Sequence, residues 1–174
     1  MPKRRVKRHS VHQPQDPSYR LIPLTRGQNA IVDTVDFEWL SQWNWFAHWE
    51  RKTKSFYAYT DRARVSMHRL ILGCTSPQEE GDHKNHDTLD NRRQNLRKCS
   101  RAMNAKNNKR RDNKTGYKGV REYRKGRWDA RIAVGNNNIH LGRFSSASEA
   151  AMAYDKAAKL YHGEFASVNF IDHT

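Results

Sequence analysis

Three successive stretches, residues 117–123, 127–134 and 138–144, each alternate apolar and polar side chains, and short breaks containing Lys125-Gly126 and Gly135-Asn136-Asn137 separate them. A side-chain period of two belongs to strands with one covered face, and breaks this short are hairpin turns. The pattern therefore predicts a three-stranded antiparallel meander. Ser146-Ala147-Ser148-Glu149 then has the form of a capping box that opens an alanine-rich helix over 149–161, with Gly163 placed to stop it. One helix laid on one three-stranded sheet is a complete small domain, here 116–171.

The alternation also assigns the two faces of that sheet. Val120, Trp128, Ala130, Ile132, Val134, Ile139, Leu141 and Phe144 fall on one side, where Ala150, Ala151, Ala153, Tyr154, Ala157, Ala158 and Tyr161 of the helix would cover them. Lys118, Arg121, Tyr123, Lys125, Arg127, Arg131, His140 and Arg143 collect on the other. A solvated basic face is the plain alternative. A flat cationic sheet face nevertheless fits the major groove of DNA, whose width of about 12 Å admits strands.

Charge over the whole chain points the same way. Lys and Arg number 33 against 18 Asp and Glu in 174 residues, a formal net charge of +15. Strong basicity of this kind implies a polyanionic partner, with a membrane surface as the rival. A membrane is not expected, because no apolar run approaches the roughly 18 to 20 residues needed to span one. Residues 1–9 are basic with no apolar stretch behind them, which does not describe a secretion signal. The expectation is an intracellular, cytoplasmic protein. Only 36% of residues are hydrophobic, so the length is expected to hold two or three small domains. Cys74 and Cys99 are too few for a zinc ribbon or a disulfide framework and read as reduced thiols.

Residues 1–17, with Lys3, Arg4, Arg5, Lys7 and Arg8 among prolines, read as a disordered arm that is either a solvated tail or a groove- or phosphate-binding one. Residues 18–66 read as a small β-rich region, with a turn at Arg26-Gly27-Gln28-Asn29 and a short capped helix at 36–40. Its aromatics, Trp43, Trp45, Phe46, Trp49 and 56–59, are assigned mainly to a core, although such rings also stack on bases. Residues 67–73 suggest a turn or two of helix ended by Gly73. Residues 107–115, with Arg110 and Arg111, form a basic linker expected to touch DNA.

Between these segments Asp82-His83, Asn95 and Asn104 recur at spacings that a hairpin and a following helix, capped by Ser100, would bring to one point. Asp82 and Asn104 would supply two hard oxygens suited to one Mg²⁺ (or Mn²⁺), and His83 would be a general base beside it. Asn95 would brace the loop. These are the parts of a phosphodiester hydrolase.

His68-Arg69-Leu70, Asp82-His83-Lys84-Asn85, the run 89–97, and Asn104 with Asn107 together resemble the HNH endonuclease ββα-metal motif over about 68–108, as found in homing endonucleases of phages and mobile elements. The resemblance implies metal ligation by Asp82 and Asn104 and proton abstraction by His83. It also implies loop bracing by Asn95, and a role for His68 that is structural, phosphate-contacting or catalytic. Tyr117-Lys118-Gly119-Val120-Arg121, Gly126-Arg127-Trp128, Leu141-Gly142-Arg143-Phe144, the run 149–158, His162-Gly163 and Asn169-Phe170 resemble the plant ethylene-response-factor (APETALA-type) DNA-binding domain. That resemblance puts Lys118, Arg121, Tyr123, Arg127, Arg131 and Arg143 on DNA. His140 and Lys125 stand where many plant members have tryptophan, so the plant target sequence does not carry over.

The expectation is thus an α+β chain of three parts. A β-rich start and a ββα-metal (His-Me finger) HNH module share 18–106, and a three-stranded sheet packed on one helix follows. The chain would act as a site-specific endonuclease, a monomer or weak dimer on DNA in a bacterial or phage-infected cell. The alternative is a non-catalytic, sequence-specific DNA-binding regulator with a decayed nuclease module. RNA binding is disfavoured because the sheet lacks paired exposed aromatics.

Overall fold

The computed structural model describes residues 8–61, 64–101, 103–104 and 114–170. The chain is α+β and divides into two compact units, residues 1–101 and 102–174.

The first unit is built from three antiparallel hairpins. β1 (Tyr19–Pro23) pairs with β2 (Asn29–Asp33), β3 (Trp45–Glu50) with β4 (Ser55–Thr60), and β5 (Glu79–His83) with β6 (Leu96–Ser100). Helix α1 (Thr34–Ser41) follows β2, and the short α2 (Met67–Ile71) follows β4. Two strands bury little by themselves, so the hairpins share one core. Leu24, Val32, Leu40, Trp45 and Met67 form its centre, each almost wholly removed from water. The Trp45 indole N–H donates to the Leu40 carbonyl at 2.8 Å, which lets an aromatic this large be buried without an orphaned donor.

Several ties run across long sequence distances. The Ile31 N–H donates to the Leu89 carbonyl at 2.8 Å and the Asn91 N–H to the Ile31 carbonyl at 2.7 Å, so the loop before β6 lies along β2. Asp36, an acid in the first turn of α1, is also a buried carboxylate. Both of its oxygens accept from the Arg93 guanidinium at 2.7 Å.

The expected disordered arm is corrected over its described part. Arg8 donates to the Trp45 carbonyl through Nε and Nη2, and Gln13 exchanges two 2.9 Å hydrogen bonds with the Leu21 main chain. Polar side chains that read locally as tail here complete the edge of a hairpin. The hairpin of the expected ββα unit is present as β5 and β6. A helix running to 108 falls mainly outside the described residues, and the ββα-metal module as a whole is not shown.

The second unit is the meander. β7 (Val120–Arg124), β8 (Arg127–Val134) and β9 (Asn137–Phe144) form an antiparallel sheet in that order, and α3 (Ala147–His162) covers one face. The capping box is formed on both sides, with the Ser146 hydroxyl accepting from the Glu149 N–H and the Glu149 carboxylate accepting from the Ser146 N–H. Val120, Ala130 and Ile132 from the sheet meet Ala150, Ala151, Tyr154, Ala157 and Ala158 from the helix. Small helix residues allow a close approach. Gly119, at φ +76°, lies where a Cβ would enter the Tyr154 ring and come 2.7 Å from the Arg131 carbonyl oxygen. Tyr161, expected on the covered face, is exposed. Asp155 is buried and accepts from the main-chain N–H groups of Asn169 and Phe170 at 2.8 and 2.9 Å. The 3₁₀ turn Gly163–Phe165 leads into this returning segment.

Candidate nucleic-acid interface

The outer face of the second unit's sheet is organised around a single acid. Asp129 alternates with Trp128 and Ala130, so it points away from the helix, yet it is only 2% exposed. Two arginines and a histidine cover it. Arg121 and Arg131 donate through Nε to the same carboxylate oxygen at 3.0 and 2.8 Å, and His140 Nε2 lies 2.6 Å from the other oxygen. Register explains the convergence. Arg121 and Arg143 are the cross-strand partners of Asp129 on β7 and β9, and His140 is the partner of neighbouring Arg131. Burial raises the pKa of Asp129, but the hydrogen bonds from Arg131, Arg121 and His140 outweigh it and hold the carboxyl below its ordinary range.

These three side chains themselves stay in water. The side chains of Arg121, Arg131 and His140 are 60%, 42% and 46% exposed. An arginine bound through Nε still has both terminal nitrogens to offer, and those form the fork that grips guanine or phosphate. Arg143 lies over the Tyr123 ring at 4.7 Å, a cation–π contact that fixes a further guanidinium on this face. Lys125 and Arg127 are exposed at the β7–β8 turn. Lys118 is half-buried, and its main-chain N–H is held by Asn169 at 2.7 Å. Arg110 and Arg111 lie outside the described residues. Sequence patterning brings out the cations but not Asp129, whose signal was its period: two residues from both Arg127 and Arg131, it had to share their face.

The residues singled out in the first unit also gather, in part. His68 and His83 are buried with their rings edge-to-face at 4.9 Å, and the Tyr57 ring lies 5.8 and 6.0 Å from them. Gly81 makes room, since a Cβ there would come within 2.5 Å of His68 Cδ2. Burial drives the pKa of His68 well below the ordinary imidazole value, with the neighbouring His83 and Arg69 acting in the same direction. Burial also lowers that of His83, against the opposing hydrogen bond of Asn91 and the nearby Asp82. Asn95 donates to the Asp90 carbonyl at 2.7 Å and accepts from the Asn85 N–H at 3.0 Å, tying the two ends of the loop.

Asp82 sits opposite Arg97 on the hairpin, and one of its oxygens accepts from Arg97 Nε at 2.8 Å and Nη2 at 2.6 Å. Asn104, half-buried in a helical segment, belongs to the second unit, so the first unit supplies only one of the two expected metal ligands. Among the described residues no three His, Cys, Asp or Glu side chains converge on a metal-sized point. Within the first unit Asp82 is thus paired with a buried guanidinium.

No family model matches the chain. It is 49% identical over 55 residues to Dehydration-responsive element-binding protein 2C of Arabidopsis thaliana, covering 30% of this chain and 16% of that protein. Ethylene-responsive transcription factor WRI1 of the same plant is 47% identical over 57 residues, 31% of this chain and 13% of its own length. Dehydration-responsive element-binding protein 2A of Oryza sativa subsp. indica is 45% identical over 60 residues, 33% of this chain and 22% of its own. Over about 55 residues, then, the homologues are AP2/ERF-type DNA-binding transcription factors, and the chain spans a small part of their length. The expectation of a phosphodiester-cutting enzyme is corrected by these matches, which are to DNA-binding regulators rather than hydrolytic enzymes. Among the described residues no helix is long and apolar enough to cross a membrane.

Proposed function

We propose that the protein is a sequence-specific DNA-binding regulator that docks the outer face of β7–β9 against the major groove of double-stranded DNA. The observation that carries this reading is the cluster of exposed Arg121, Arg131 and His140 around one buried carboxylate, with Arg143 held over Tyr123 beside them. Fixed forks read base edges, whereas loose lysines only track phosphates. The cover of α3 on the opposite face leaves this side of the sheet as the natural contact surface. Lys125 and Arg127 at the turn are suited to phosphates, and their contribution should weaken as salt rises. The chain acts as a monomer or weak dimer on its site.

In the first unit, the Asp82–Arg97 pair and the His68–His83 cluster are read as structural parts that hold the third hairpin against the core. The test is selection from a pool of random duplexes, followed by titration of the enriched site and a scrambled duplex. A single enriched motif, bound at least a thousandfold more tightly than the scramble at about physiological salt, is the expected result. Equal binding of both duplexes would sink the reading. So would strand breakage of the enriched duplex on incubation with Mg²⁺.

A further inference from the structure

We infer that Asp129 is a positioning residue for recognition. It holds Arg121, Arg131 and His140 in the orientations that distinguish one DNA sequence from another, while itself lowering affinity for DNA in general. This rests on the reading of the β7–β9 face as a DNA-contacting surface.

Three observations carry it. Asp129 is the one acid among the cations of this face, and it is 2% exposed beneath side chains that are 42 to 60% exposed. A surface selected only for phosphate attraction gains nothing from a carboxylate in its middle, since it repels the ligand and cancels one positive charge. The bonds also take Nε of each arginine rather than the terminal nitrogens. That choice removes the rotamer freedom of two long side chains yet leaves their forks for the ligand, so the ordering cost is met before binding. Finally, His140 approaches the oxygen that the arginines do not use, at 2.6 Å, so one carboxylate fixes groups on all three strands.

These effects have opposite signs, which makes the inference testable. Asp129→Asn in the full chain removes the repulsive charge and weakens the anchors. Affinity for a scrambled duplex should rise. The ratio of selected-site to scrambled-duplex affinity should fall about tenfold or more, as expected when a base-reading arginine loses its orientation. Asp129→Glu, which keeps the charge, should recover part of the ratio. Asp129→Ser serves as a second neutral variant, and far-ultraviolet circular dichroism and melting report on the fold.

An unchanged ratio in folded Asp129→Asn or Asp129→Ser would overturn the inference. So would equal losses on both duplexes, which mark a merely structural role. If neither neutral variant folds, Asp129 is a folding residue and the inference is likewise overturned. If the unaltered protein itself fails to discriminate between duplexes, it is the DNA-reading proposal that has failed, and that result is seen before any variant is compared.

Discussion

Arg97 shows how a single side chain can decide the character of a site. It is 9% exposed and bonds an Asp82 carboxylate that is 8% exposed, so neither charge has water to fall back on. Breaking a buried pair from one side leaves an uncompensated ion, which costs about 3 to 5 kcal/mol, far more than an exposed pair is worth. Arg97→Ala should therefore lower the urea-unfolding free energy of the first unit, read from tryptophan fluorescence, by an amount in that range. A shift of a few tenths of a kcal/mol would mean that the carboxylate is hydrated. Gly119 is the matching case in the second unit. Its positive φ and the nearby Tyr154 ring and Arg131 carbonyl oxygen leave no room for a methyl group. Gly119→Ala combines backbone strain with overpacking, each costing about 1 to 3 kcal/mol. Melting of the sheet and helix should drop accordingly, and an unchanged melting temperature would refute the close packing described. At this scale the sequence was a partial guide. Asp82, His83 and Asn95 stood out as residue types that carry chemistry, but the partner that engages Asp82 did not. Arg97 becomes its neighbour only through the β5–β6 register, which no local pattern states.

At the scale of elements, legibility follows how local the determining forces are. β8, β9 and α3 were readable nearly to their ends, and β7 with its start three residues early, because alternation, glycine turns and a capping box are all short-range signals. The described part of the arm, from residue 8 on, departs from expectation for the opposite reason. Its prolines and cations resemble a disordered tail, but Arg8 and Gln13 find main-chain partners on β3 and β1, 37 and 8 residues away. Asp36 keeps its place in the first turn of α1, and a guanidinium 57 residues on makes it a buried anchor as well, which no local pattern states. The helix cap gives a direct test of the local part. Ser146→Ala removes the acceptor for the Glu149 N–H and should destabilise the second unit by about 1 kcal/mol. Ser146→Asp should retain most of that stability. If both variants melt with the unaltered protein, the box contributes nothing to α3.

For the whole molecule, two cores mean two separate responses to acid. His68 and His83 are buried in the first unit with pKa values held below the ordinary 6.5, chiefly by loss of water. Unfolding restores them to about that ordinary value, so between the folded and unfolded pKa the unfolded chain binds more protons. The stability that comes from keeping these rings neutral is fully present above about pH 6.5 and is lost as pH falls below it, at up to about 1.4 kcal/mol per pH unit for each histidine. Asp129 has the reverse character. Its carboxyl is held below 3.8, so its contribution to the second unit is intact above that range and is lost only as pH falls further. Acid should therefore act on the first unit through its histidines well before it acts on the second through Asp129. Four of the five tryptophans, Trp39, Trp43, Trp45 and Trp49, lie in the first unit, which makes their fluorescence a suitable reporter. Denaturant titrations between pH 7 and 5 should show first-unit stability declining steeply. His68→Phe, with no proton to take up, should show a shallower decline whatever its absolute stability, and an equal slope in the two proteins would rule out His68 as a source of the acid sensitivity.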